Sequence, residues 1–574
     1  MGCSTDPFVL PASPRTRTPG PRSTPRVACA LVLAVSLFAA GCSSGDDSSD
    51  DASTRDTEVP VADRTCDQGA TVTPVVSAPV EGVPSDVTIT SFDGTLIRAH
   101  WFPAQEETSG GAPSPTVLMG PGWGQPGATE ERDSALGYGA MPIRFLRAAG
   151  YNMLTWDPRG FGASSGEATA NSPEVEGRDV QVLIDWVATQ REALLDRDGD
   201  PRVGMIGGSY SGGIQLVVGA IDCRVDALVP GAAWHSLETS LYPNQTAKAG
   251  WGSLLNRAAV AFNAKVDPHV GKAATQALGT GVLDEEVLEW LRSRGPGDLV
   301  GKITAPTLLV HGTVDNLFTP TEGVTNFTAL RKTGAPVSML WFCGGHGICL
   351  TGDGDTDLVN GRTRDWLDRY LKGYESVDTG PVMDVVDQNG ERWVGDDYPT
   401  EPDATLVAEG PGGPLTLDDE SKTGTAVAPN SQDLFASIFA GVTPARADKA
   451  LKLTVKAEED ALVFGAPRLR LRYRGETPDG PQPTRIFAQL VDDETGLVVG
   501  NQIVPVPLDL DGADHTVEVD LEVVAHHLTD GASVTLQLVA TTFAFAVPRL
   551  GGELTAISIE LELPVAQSLT RARP

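Results

Sequence analysis

Residues 203–220 read VGMIGGSYSGGIQLVVGA, and this stretch decides the fold. Val203 to Ile206 form the short apolar run of a buried strand, and Ile214 to Ala220 begin an apolar helix. Glycines and two serines lie between them. At a Gly-rich strand-to-helix turn the bend is so sharp that the residue at its tip is strained and its neighbours must be small. A serine hydroxyl raised there stands at the carboxyl edge of the sheet, facing the first helical N–H groups, which favour an anion. Ser209 has a glycine two residues before it and Ser211 a glycine two residues after it, so neither fits G-x-S-x-G in full. Ser209 is preferred, because Gly207 and Gly208 open the strand side and Gly212 and Gly213 begin the helix. The plainer alternative is a tight turn that carries no chemistry.

The flanking sequence predicts a parallel sheet. Val87–Thr90 and Leu96–Phe102 flank Asp93 and Gly94, a hairpin signal. Pro115–Met119, Tyr151–Trp156, Val225–Val229, Pro306–Val310 and Val337–Phe342 are further apolar runs. Helical stretches separate them, including the amphipathic Val175–Arg191 and a closing helix from Thr363 to Leu371. Alternation at this spacing means a doubly wound α/β domain, assigned to residues 66–375. Residues from about 235 to 299 interrupt it with three helical patterns, Trp251–Phe262, Lys272–Leu278 and Glu285–Arg294. Such an insertion is expected to cap the carboxyl ends of the strands and exclude water. Residues 376–399 read as a linker. Residues 400–565 hold alternating strands such as Leu469–Tyr473 and Ile557–Leu563, which predict an all-β jelly roll or sandwich. His526 and His527, within it, read as a surface pair.

The chain has 574 residues and a net charge of −33, which argues against nucleic acid as a partner. Residues 1–42 read as an export signal: Arg15, Arg17, Arg22 and Arg26 precede an apolar run from Val27 to Ala40 that is too short to span a membrane comfortably. The run ends Ala39-Ala40-Gly41-Cys42, which resembles a bacterial lipobox; an acylated Cys42 would anchor the protein to the cell membrane, with residues 43–65 as a polar tether. Of seven cysteines, Cys66, Cys223, Cys343 and Cys349 remain beyond this signal. An even number in an oxidising compartment suggests two disulfides. Cys343 and Cys349 bracket a short loop and are the simplest pair, and Cys66 with Cys223 follows by elimination.

A serine nucleophile needs a base, and the base an orienting acid. Behind such an elbow they follow in the order serine, acid, histidine. His346 lies in the glycine-rich loop Cys343–Cys349, directly after the last strand of the alternating pattern, and Asp315 follows the strand before it. His235 and His269 fall in the cap region and His311 at a strand end. The oxyanion needs two donors, expected from the N–H groups of Tyr210 and Trp123. Asp157 and Arg159 read as structural. The acidic triplets at residues 196–200 and 353–357 lack the glycine and glutamate of a calcium loop, so no metal is expected. The chemistry needs no cofactor.

These residues resemble the X-Pro dipeptidyl-peptidase and cocaine-esterase family of serine α/β-hydrolases. Its elbow, G-x-S-Y-x-G, is matched at Gly207, Ser209, Tyr210 and Gly212. Asp157, Arg159 and Gly160, the run from Asp179 to Trp186, and Trp366 through Gly373 are also similar. The resemblance implies a capped hydrolase domain followed by a jelly roll, with Ser209 as nucleophile, Asp315 as acid and His346 as base. Cocaine-esterase-like members also use a tyrosine hydroxyl from the early loop; here that loop, residues 120–124, holds Trp123 instead. The expected function is export-linked hydrolysis of an ester or of an X-Pro peptide bond through an acyl-enzyme. A peptidase of that kind needs an acidic group for the substrate's amine, and Glu238, Asp284 and Glu285 are the cap's candidates. Acyl transfer at the cell envelope and a catalytically silent surface-binding lipoprotein are the alternatives.

Overall fold

In the computed structural model the described residues are 75–77, 86–132, 141–352, 355–425, 442–477, 482–545 and 551–572. The export signal, Cys42, the tether and Cys66 lie outside them.

The apolar runs pair into one twelve-stranded sheet. Its middle is parallel and reads, across the sheet, Asn152–Asp157, Thr116–Met119, Val203–Gly208, Val225–Gly231, Thr307–Gly312, Val337–Phe342 and Met383–Val386. Every residue of these strands is buried, as continuous apolar runs covered on both faces require. The helices Glu176–Val187, Tyr210–Ile221 and Pro320–Arg331 bury Val180, Leu183, Leu216 and Phe327 in the core of one face. On the other face, Ile143–Ala148 and Thr356–Leu371 supply Ile143, Leu146, Trp366 and Leu367. The hairpin of Asp86–Thr90 and Leu96–Phe102 adds antiparallel strands at one edge.

The sheet is larger than its sequence pattern suggested. Residues 376–399 contribute the strands Met383–Val386 and Arg392–Gly395, where a linker was expected. The first is four residues long and carries Asp384 at no exposure, so it lacks an apolar signature. Its charge is met by Arg362 at 2.6 Å and Arg392 at 2.6 Å, one from the preceding helix and one from the neighbouring strand. A buried carboxylate is tolerable only with partners of that kind.

The cap is helical and lies between the strands Val225–Gly231 and Thr307–Gly312 in sequence. Its helices are Leu237–Leu241, Ala249–Ala261, Pro268–Gly279 and Glu285–Arg292. Their boundaries have local causes. Asp267 accepts the N–H of His269 at 2.9 Å ahead of Pro268, and Asp284 accepts that of Val287 at 3.0 Å ahead of two glutamates. Trp234, Leu237, Trp251, Val287, Trp290 and Leu291 form the cap's own apolar core, which also takes in Phe161, Tyr210 and Phe318.

Beyond residue 400 the strands form antiparallel layers around a second core. The long strand Val504–Asp520 belongs to both layers. Its first part pairs with Gln482–Asp492 and its second with Arg468–Glu476. Alternation along Arg468–Glu476 buries Leu469, Leu471 and Tyr473 and exposes the arginines. This region shares a core with the first sheet, where Leu462, Phe464, Val523 and Ala525 cluster with Trp341 and Trp393. His526 and His527 are not a surface pair: on opposite faces of their strand, His526 turns toward the second core near Asp492 and His527 toward that junction. His526 is 2 % exposed, and burial lowers its pKa to about 4. His527 lies 2.9 Å from Glu391 and packs on Trp393. Their strand is covered by the first sheet, a contact invisible in local sequence.

Candidate active site

The strand Val203–Gly208 ends at Ser209, which adopts φ 58° and ψ −119° before the helix Tyr210–Ile221 begins. This strained conformation is the one expected of a residue at the tip of the elbow. Gly207, at φ 129°, leaves no room for a side chain, since a Cβ there would come within 2.3 Å of the Ser211 hydroxyl. The two serines are thereby distinguished. Ser211 is 2 % exposed and its hydroxyl points back to the Ile206 carbonyl at 3.3 Å. Ser209 points the other way, with Oγ 2.9 Å from Nε2 of His346.

His346 Nδ1 is 2.8 Å from Asp315. Asp315 is completely buried, and its second oxygen accepts the N–H groups of Leu317 and Phe318 at 3.0 Å each. With Nδ1–H donated to the carboxylate, Nε2 is left to accept the serine proton. Burial opposes the charge on Asp315, but the imidazole of His346 and its hydrogen bond, with His311 nearby, hold the carboxyl below its ordinary value. Trp251 and Phe318 stand edge-on to the His346 ring, at 5.8 and 5.1 Å between centroids. Its loop is closed by a Cys343–Cys349 disulfide. Cys223 is also disulfide-bonded. His311 donates Nε2–H to the Phe318 carbonyl at 2.8 Å, while His235 contacts Asn326 and His269 contacts Asp267. None of the three joins the Ser209 relay.

Three side chains not singled out from sequence steady this relay. Gln502 donates to the Asp315 carbonyl at 2.7 Å and Asn501 to the Ile348 carbonyl at 3.0 Å, both from the C-terminal β region. Lys248 of the cap is 4 % exposed and donates to the carbonyls of Asn316 and Leu317 at 3.1 and 2.9 Å. Burial lowers the pKa of its ammonium, against the pull of Glu522, Glu322 and Asp315. No motif marks these residues, because their partners are set by tertiary folding.

Tyr210 is the first residue of its helix, so its N–H belongs to the turn that has no intrahelical acceptor. Its phenol is turned inside, 3.3 Å from Glu176, and burial followed by that carboxylate pushes its pKa well up. The Trp123 indole donates to the Leu255 carbonyl of the cap at 3.1 Å and packs edge-on to Phe161 and Tyr210. Asp157 accepts the N–H groups of Gly127 and Ala163, each at 2.7 Å, and Arg159 is forked onto Asp179.

Ser209 opens into a cavity of about 860 Å³, its mouth included, between the elbow and the cap. Trp123, Trp234, Leu241, Leu255, Leu283 and Phe318 are among its apolar walls. Among the described residues, Lys248 is the one charged residue in the lining. The proposed amine-binding carboxylates are elsewhere and engaged: Glu238 and Glu285 with Arg292, Asp284 with Lys272 and with its own helix start. Asp196 and Asp200 pair with Arg202 and Arg197 in a small hairpin.

Comparison with known proteins agrees with this fold. A CocE/NonD family hydrolase from Staphylococcus aureus superposes with a TM-score of 0.59 at 12 % identity, covering 87 % of this chain and 97 % of that one. An alpha-amino acid ester hydrolase superposes with a TM-score of 0.61 at 13 % identity, covering 85 % and 98 %. Among curated proteins, a polyketide transferase from Penicillium sp is 30 % identical over 146 residues, 25 % of this chain. The match spans 43 % of that relative, less than half its length. The family model of X-Pro dipeptidyl-peptidase (S15 family) matches residues 93–347, a range that holds the elbow, Asp315 and His346. Over residues 93–347, which hold the Ser209–His346–Asp315 relay, this chain is thus similar to the X-Pro dipeptidyl-peptidase (S15) family.

Proposed function

We propose that this chain is an exported, lipid-anchored serine hydrolase that cleaves an ester or amide of a largely apolar acyl group. The observation that carries the reading is the Ser209–His346–Asp315 relay opening into an apolar cavity. In this mechanism His346 Nε2 takes the Ser209 proton as Oγ attacks the acyl carbonyl. The amides of Tyr210 and Trp123 stabilise the oxyanion. His346 then gives the proton to the departing alcohol or amine, leaving an acyl-enzyme. Water, losing a proton to the same imidazole, attacks the acyl carbonyl, and as the acyl–Oγ bond breaks the imidazolium returns that proton to Ser209 and the acid leaves. Asp315 stays ionised and balances the imidazolium.

The lining supports an ester over an X-Pro peptide. A dipeptidyl-peptidase has to hold a free ammonium group, and a cavity lined, among the described residues, by a lysine and no carboxylate repels one. Acyl transfer is a second reading, favoured by the apolar lining of the cavity and by the activity named for the polyketide transferase relative. Acylation of Cys42 would hold the enzyme at the outer face of the cell membrane. A panel of p-nitrophenyl esters beside X-Pro-p-nitroanilides tests the substrate assignment. Turnover of the esters is expected. Faster release from the nitroanilides would replace the ester reading with the peptidase one.

A further inference from the structure

We propose that Lys248 is an anion-binding residue of the cavity, and that the substrate is an ester whose hydrocarbon acyl chain carries a carboxylate. This inference rests on Ser209 being the nucleophile. The part of the substrate that stays on the serine has to be housed in the cavity that Ser209 opens into, while the leaving group departs. Among the described residues, Lys248 is the one charged residue lining that cavity, beside apolar side chains, Ser209 and Tyr210. A lysine this buried is costly unless its charge is used. Among the described residues its two acceptors are backbone carbonyls, those of Asn316 and Leu317. An ammonium group has three donors, so one remains for a ligand. The carboxylates that act on it from outside the cavity are occupied. Glu322 accepts from the backbone of His235 and Ser236, Glu522 from Thr319 and Thr321, and Asp315 from His346.

The two carbonyls also fix where the cation sits. Asn316 and Leu317 directly follow Asp315, so the loop that aims the acid against His346 also positions Lys248. An acyl chain on Ser209 would thus run along the indoles and leucines of the cap and end at a fixed positive charge. A substrate ammonium would meet that same charge and be repelled.

The test compares p-nitrophenyl half-esters of adipic, suberic and sebacic acids with their methyl-capped diesters, using the full chain. Wild type is expected to favour the free carboxylate by at least about tenfold in kcat/KM at one chain length, chiefly through KM, as a charge-assisted hydrogen bond in an apolar site would give. Lys248→Met is expected to bring that ratio to about one. A wild type without preference at every length, or a ratio that persists in K248M, would overturn the proposal. The wild-type comparison stands alone should K248M fail to fold. Labelling with a fluorophosphonate separates the two readings. A labelled wild type without carboxylate preference removes the anion site alone, whereas an unlabelled wild type removes the hydrolase as well.

Discussion

At the scale of single residues, the account depends on which serine the elbow raises. Sequence spacing left two, and geometry distinguishes them through direction: one hydroxyl meets an imidazole and the other a strand carbonyl. The acid has the same kind of local explanation. Gly345 adopts φ 111°, and a Cβ there would lie 2.6 Å from Cβ of Asp315. Gly345→Ala is therefore expected to push the acid away from His346, costing at least about 1–3 kcal/mol of stability, read by thermal or urea unfolding, along with most of the activity. Asp315→Asn keeps the shape but favours the wrong imidazole tautomer, and kcat should fall by about 10⁴-fold. The same pair makes a prediction about pH. The folded state holds the Asp315 carboxyl below its ordinary value. Its contribution to stability is present above the ordinary aspartate range and is lost as pH falls through the lower, folded value. The stability gap between wild type and Asp315→Asn should thus narrow on acidification, and a constant gap in urea unfolding across that range would contradict the assignment.

At the scale of elements, strands were legible wherever an apolar run was covered on both faces. The central strands, the hairpin and the cap helices all stand close to where periodicity put them. The same signal failed for Met383–Val386, whose buried Asp384 depends on Arg362 and Arg392 from other elements. It failed for His526 and His527, which are buried on opposite faces of one strand, by the second β core and by Trp393 of the first sheet. Lys248 was missed for a related reason, since nothing in its neighbourhood of sequence announces carbonyl partners near residue 316. The His346 loop was legible because glycine and cysteine are both diagnostic there. Its disulfide closes only a short loop, so replacing Cys343 and Cys349 by serine is expected to cost about 2 kcal/mol and to lower the melting temperature. Activity should fall less than in Asp315→Asn, because the buried carboxylate still orients the base.

At the scale of the whole molecule, the C-terminal β region and the first sheet are parts of one construction. They share an apolar core, and Gln502 and Asn501 reach from one to the loops that hold the acid and the base. Sequence composition distinguished the two regions but gave no hint of this bracing, because amide-to-carbonyl bonds have no periodicity. Gln502→Ala leaves the Asp315 carbonyl without that donor in a buried place. The expected cost is about 1–3 kcal/mol, with a fall in kcat that a change in a separate, independently folded module would not produce. The central claim, that Ser209 is an activated nucleophile, is tested most directly by labelling the full chain with a fluorophosphonate beside Ser209→Ala and Ser211→Ala. Label retained in Ser211→Ala and absent from Ser209→Ala is the predicted result. Label retained in Ser209→Ala, or no label on the folded wild type, would contradict it.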